Sequence, residues 1–131
     1  MQKPVLILIL LATAAAFQVA CDEDLVSSYQ PTLVNQTDNF HLVLRDAEGV
    51  DTVVYYYWRM EGTSANIDQN ADLQEGAASI QVQDPNEVLD YESDFSQRGS
   101  FVSQPGTPGF WRVRAAFSNF SGVIDFRLQR R

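Results

Sequence analysis

The stretch GFWRVRAAFSNFSGVIDFRLQ, residues 109–129, decides the fold class. Trp111, Val113, Ala115 and Phe117 alternate with Arg112, Arg114 and Ala116. After Ser118-Asn119-Phe120-Ser121-Gly122, Ile124, Phe126 and Leu128 alternate with Val123, Asp125, Arg127 and Gln129. A period of two sends one set to a core and the other to water. The intervening Ser, Asn and Gly are turn formers, so the pattern predicts a β-hairpin with one apolar face. Trp111, Val113, Ile124 and Phe126 are its expected core residues.

The same pattern extends upstream. Phe40, Leu42 and Leu44 alternate with His41, Val43 and Arg45, and Asp46-Ala47-Glu48-Gly49 reads as a turn. Val53 to Met60 is rich in β-branched and aromatic residues, as strands are. Ala65 to Gln69 reads as a short strand before a polar loop running to Gly76. Ile80 and Val82 begin another strand, Asp84-Pro85-Asn86-Glu87 turns it, and Val88 to Tyr91 resumes it. Gln104-Pro105-Gly106-Thr107-Pro108-Gly109 is turn chemistry throughout. No stretch after residue 28 shows a helical period. The expected fold is all-β: a single antiparallel β-sandwich, jelly-roll or Ig-like, over residues 29–131.

Residues 1–28 read differently. One basic residue, Lys3, precedes an apolar run from Val5 to Phe17 broken only by Thr13. The run is shorter than the roughly 20 apolar residues of a membrane span and fits the helix of a cleaved secretory signal. Cys21, the sole cysteine, follows it directly. The arrangement Val19-Ala20-Cys21 resembles the cleavage point of bacterial lipoprotein signals, although Gln18 stands where that family has an aliphatic residue. The resemblance implies a signal peptide over residues 1–20, a lipid on Cys21, and a place on the bacterial cell envelope, facing the periplasm or the exterior. Ala14-Ala15-Ala16 offers ordinary signal peptidase a rival site, which would leave Cys21 a free thiol. Residues 21–28 read as an acidic tether.

Beyond the signal, eight arginines and no lysine face 17 acidic residues. An excess of nine negative charges repels phosphate backbones, which argues against nucleic acid as a partner. It also disfavours adhesion to anionic lipid, so membrane attachment falls to an acyl anchor. With one cysteine there is no internal disulfide, and packing alone must hold the domain.

Residues Gly109 to Arg114 and Ser121 to Arg127 also resemble the closing strands of bacterial pre-peptidase C-terminal domains. There a glycine-led strand with an aromatic and alternating valines is followed by a Ser-Gly turn and a last strand. The resemblance, which spans Ile80 to Gln129, implies a small secreted β-sandwich that is a non-catalytic binding appendage.

Candidate chemistry is sparse. His41 is the only histidine, so a Ser-His-Asp site would have to use it, and its mid-strand position reads instead as a wet-face residue. A His/Cys zinc site is excluded by counting. Asp90, Glu92 and Asp94 share a parity and read as a solvated edge that discourages strand pairing. Asn66, Asp68, Asn70 and Asp72 place alternating oxygens that suit calcium, without the glycine and closing glutamate of an EF-hand. Tyr55-Tyr56-Tyr57-Trp58 is the densest aromatic run. One alternate pair belongs to the core and the other can stack against a ligand, with Tyr56 and Trp58 the expected ligand pair. The expected function is that of a non-catalytic envelope lipoprotein whose partner is an envelope protein or polysaccharide. No cofactor is expected. The alternative is a carbohydrate- or calcium-binding module.

Overall fold

A computed structural model of the chain describes residues 31–131. The expected signal peptide, Cys21 and the expected tether lie outside the described residues. Six strands follow in order: β1 (Thr32–Gln36), β2 (Asn39–Met60), β3 (Ala65–Gln83), β4 (Leu89–Ser93), β5 (Gly99–Val102) and β6 (Gly109–Arg130). All pair antiparallel in one sheet of order β1-β2-β6-β3-β4, with β5 also on β3.

Three strands of 19 to 22 residues carry the architecture. The predicted closing hairpin is instead the single strand β6. Its two alternating halves lie along one strand, joined by a corner at Asn119 to Gly122 rather than by a reversal. The other expected turn at Asp46 to Gly49 is likewise a corner inside β2, and the expected polar loop up to Gly76 is strand β3. Register shifts fall at one level on all three strands: between Leu44 and Thr52 on β2, and between Leu73 and Ala77 on β3, opposite Ser118 to Gly122 of β6. Extra residues in a ladder bend the strand and raise its twist. Aligned across three neighbours, these bulges make a crease, and the sheet folds over on itself into a sandwich.

One layer contains β1, the start of β2, the end of β6, the start of β3, and β5. The other contains the end of β2, the start of β6, the end of β3, and β4. The turn residues mark the crease because the backbone there needs unusual dihedrals: Asp46 has φ 54°, Asn119 φ 45° and Gly122 φ 142°. A Cβ on Gly122 would collide with the Asp72 carbonyl, and one on Gly76 with the carbonyls of Ser118 and Asn119. Strands approach so closely here that only glycine fits.

The core fills the space between layers. Trp58 and Trp111 face each other across β2 and β6, ring centroids 6.2 Å apart and edge-on. Both are fully buried, and each indole N–H finds a carbonyl: Trp58 donates to Gln36 at 2.9 Å, Trp111 to Thr107 at 2.8 Å. Burial of an indole is favourable only when its donor is satisfied. Phe40 meets Tyr56 of the opposite layer at 5.5 Å, and Phe126 stacks on Tyr91 at 6.5 Å. Val113, Ile124 and Phe126 are buried as the alternation requires.

Candidate functional site

The two outer faces of the sandwich differ in kind. The face of the first layer carries a ladder across four strands, in which His41 lies opposite Arg127, Arg127 opposite Asp68, and Asp68 opposite Ser100. His41 Nε2 lies 2.7 Å from Asp125, and Arg127 donates to His41 Nδ1 at 3.2 Å. A guanidinium can only donate, so Nδ1 accepts and the ring proton sits on Nε2, toward the carboxylate. The Ser100 hydroxyl donates to Asp68, and Arg98 donates to the Ala71 carbonyl at 3.0 Å. Together these residues line a shallow groove of about 460 Å³. A general base must reach a nucleophile's proton. Here both imidazole nitrogens are occupied and the serine hydroxyl is turned to a different carboxylate.

Asn66, Asp68, Asn70 and Asp72 also lie on this face, along β3. They form a row on the outer face of a strand and not a loop. Alternate residues of a strand stand about 7 Å apart. Their oxygens therefore point outward in parallel, and Asp68 is already engaged by Ser100. Among the described residues no three His, Cys, Asp or Glu side chains converge as metal ligands would.

The face of the second layer is built from the wet parities of β2 and β6. Trp58 is fully buried and Tyr56 is half-buried against Phe40, so the pair expected to meet a ligand faces the core. The exposed pair is Tyr55, 48% exposed, and Tyr57, 62% exposed. Position 59 held the signal that could have decided this. Arg59 shares parity with Tyr55 and Tyr57, whereas Met60 shares parity with Tyr56 and Trp58. An arginine marks the wet row and a methionine the dry one.

Around the two tyrosines the register assembles a mixed surface. Tyr57 lies opposite Arg112, Tyr55 opposite Arg114, Arg59 opposite Phe110, and Val53 opposite Ala116. Phe110 is 56% exposed. The Arg112 guanidinium lies 5.1 Å from the Tyr55 ring centroid, and that of Arg59 lies 5.5 Å from Phe110. Arg112 also donates to Gln83. Three of the eight arginines thus gather on one face of an acidic chain. The acids beside them are Glu61, 3.7 Å from Arg59, and Glu92, which accepts from Gln81. This half of β2 is also an edge. Its outer carbonyls at Tyr57 and Arg59 are capped by Asn35 and Asp38, and no strand among the described residues pairs beyond them.

A separate acidic pair sits at one end of the sandwich. The expectation of a solvated Asp90-Glu92-Asp94 row holds for Glu92 and Asp94 but not for Asp90, which is 3% exposed. The loop over residues 103–108 covers it, tied by Gln104 N–H to the Asp90 carbonyl and Gly106 N–H to the Thr63 carbonyl. Burial, and then the charge of Asp84, push the Asp90 carboxyl up to about 6.

No family model matches the chain, and no curated protein matches it. Among solved structures, one similar chain comes from the crystal structure of accessory secretory proteins 1, 2 and 3 of Streptococcus pneumoniae. It is 11% identical, with a TM-score of 0.38, over 79% of this chain and 87% of that one. A likeness at this level identifies neither a fold family nor a function.

Proposed function

We propose that the protein is a non-catalytic binding module of the bacterial envelope, anchored through a lipid on Cys21, and that its second-layer face takes an acidic polysaccharide. The observation that carries this reading is the Tyr55–Tyr57–Phe110 surface interleaved with Arg59, Arg112 and Arg114. Aromatic rings with a polar tip serve wet interfaces, and tyrosine and arginine dominate binding hot spots. Alternate positions along a strand offer rings at a spacing of about 7 Å to successive units of an extended polymer. Guanidinium groups bind carboxylates in two-pronged fashion, which suits sugar acids. In an otherwise acidic protein, this cluster of arginines lowers the repulsion of anions at the aromatic face.

Affinity electrophoresis of the domain in gels carrying acidic or neutral polysaccharides tests the site. Retardation by an acidic polymer should weaken at least tenfold in Tyr57→Ala and Arg112→Gln. Retention by neither polymer class, or retention that both variants keep, defeats the reading. A protein partner captured through the same residues would redirect it. The anchor has its own test: palmitate incorporation in a bacterial host should occur in the wild type and vanish in Cys21→Ser. Equal labelling of both, or of neither, removes the anchor.

A further inference from the structure

We propose that the second half of β2 is a dimer edge, where a second copy of this chain adds its own β2 antiparallel about a two-fold axis through Tyr55.

Thr52 to Met60 pairs in unbroken register with Phe117 to Gly109 of β6, and no other strand among the described residues pairs with it. In an antiparallel strand the N–H and C=O of one residue point the same way. The Tyr57 and Arg59 carbonyls accept from Asn35 Nδ2 and the Asp38 N–H, away from β6. Odd positions therefore turn their backbone outward, so Val53 and Tyr55 present a donor and an acceptor each to the open side. Tyr57 adds its N–H and the second lone pair of its carbonyl. Folded proteins guard such edges with shortness, bulges or charge. The other outer strands here are guarded. β1, β4 and β5 have five, five and four residues. The uncovered middle of β3 holds the crease bulges together with Asp72 and Glu75. The β2 edge instead offers Val53, Tyr55 and Tyr57, all strong strand formers, at 42%, 48% and 62% exposure.

The ends of this window decide its occupant. The crease closes it at Asp51, and the Asp38 cap closes it at Arg59. Its midpoint is Tyr55. An antiparallel copy centred there sets Tyr55 against Tyr55 of the other copy, Val53 against Tyr57, and Asp51 against Arg59, each pair repeated by symmetry. Asp51 and Arg59 are exposed, opposite in sign, and on the same wet face as the residues between them. Opposite charges directly across a strand pair attract, and like charges repel. The edge is thus complementary to itself in this register. Moving the axis to Val54 sets Arg59 against Gly49, which loses the ion pairs. Moving it to Tyr56 sets Asp51 against Glu61, an acid on an acid. The axis stands perpendicular to the sheet, so the two aromatic rows lie side by side on one face of a continuous sheet.

All six strands and the core lie within residues 31–131, so the chain from Asp22 onward serves for the test. Without Cys21 no intermolecular disulfide can join two copies. Sedimentation equilibrium at about 0.15 M salt, where a screening length of about 8 Å mutes net repulsion, should show a monomer–dimer equilibrium at micromolar concentration. Tyr55→Pro removes an outward N–H and no bond to β6, so it should keep the fold and weaken dimerisation more than about tenfold. Asp51→Arg and Arg59→Asp should each weaken it about fivefold by setting like charges across the pair, and the two together should restore it. A chain that stays monomeric up to millimolar concentration, a dimer that Tyr55→Pro keeps, or a double reversal that fails to restore pairing overturns the proposal. Near-ultraviolet circular dichroism establishes that the variants fold, and should Tyr55→Pro fail to fold, the charge reversals decide. The polysaccharide reading stands or falls separately, because sedimentation is read without polymer.

Discussion

The two outer faces of this sandwich use the same kinds of residue to opposite ends. On the first-layer face, His41, Asp125, Arg127, Asp68 and Ser100 consume one another's hydrogen-bonding capacity. On the second-layer face, Arg59 and Arg112 lean over the Phe110 and Tyr55 rings, and 48–62% of Tyr55, Phe110 and Tyr57 remains in water. A neutralised ladder has little left to offer a ligand, whereas a guanidinium resting on a ring keeps donors free for carboxylates. Composition alone would rank the faces the other way, since the only histidine and the largest set of Asn and Asp oxygens lie on the first. What distinguishes a binding face is chemistry left unspent.

The largest test removes the frame that keeps both faces apart. Trp111→Ala should cost about 3–5 kcal/mol, the range for a buried large aromatic. Denaturant melts would read it, and a midpoint that barely moves would show that Trp111 is not core. Gly122→Ala attacks the crease instead. With φ at 142° and the Asp72 carbonyl in the way, a loss of about 3 kcal/mol is expected, and both faces should be lost together.

Acidity gives the next effect. The Asp90 carboxyl is raised from 3.8 to about 6 in the fold. Between those values the folded state binds more protons than the unfolded one, so stability is full below about pH 4 and declines as pH rises through 6. A shift of this size corresponds to about 2–3 kcal/mol. Chemical denaturation from pH 4 to 7 should show the decline, and Asp90→Asn should flatten it.

The comparison of faces itself makes two smaller predictions. Tyr57→Ala should cut polysaccharide affinity at least tenfold, about 1.4 kcal/mol, while moving stability by no more than about 0.5 kcal/mol. His41→Ala should do the converse, leaving affinity unchanged and costing about 1 kcal/mol of stability by stranding Asp125 and Arg127. If His41→Ala weakens binding and Tyr57→Ala does not, the assignment of roles to the two faces is reversed.

The sequence by itself determined that this protein is a β-sandwich and which residues fill it. Alternation is a local property, set by the pleat, so Trp111, Val113, Ile124 and Phe126 could be placed inside from spacing alone. Charge counting and the lone cysteine framed the expected partners in the same local way, since they need no coordinates. The course of the strands could not be read this way. Ser118 to Gly122 has the composition of a hairpin turn, but the same residues that permit reversal also permit a bulge. Which of the two forms depends on neighbouring strands bending at the same level. The site was lost for a related reason. Parity says that Tyr55 and Tyr57 differ in direction from Tyr56 and Trp58, but not which direction is inward. The one local clue was Arg59 against Met60, and the packing of the layer opposite, with Phe40 on Tyr56, decides it. Asp90 shows the limit most plainly. A local pattern of three alternating acids made it a wet residue, and a loop some 15 positions away in the chain closed over it, because burial is a property of what the chain brings back and not of the strand itself.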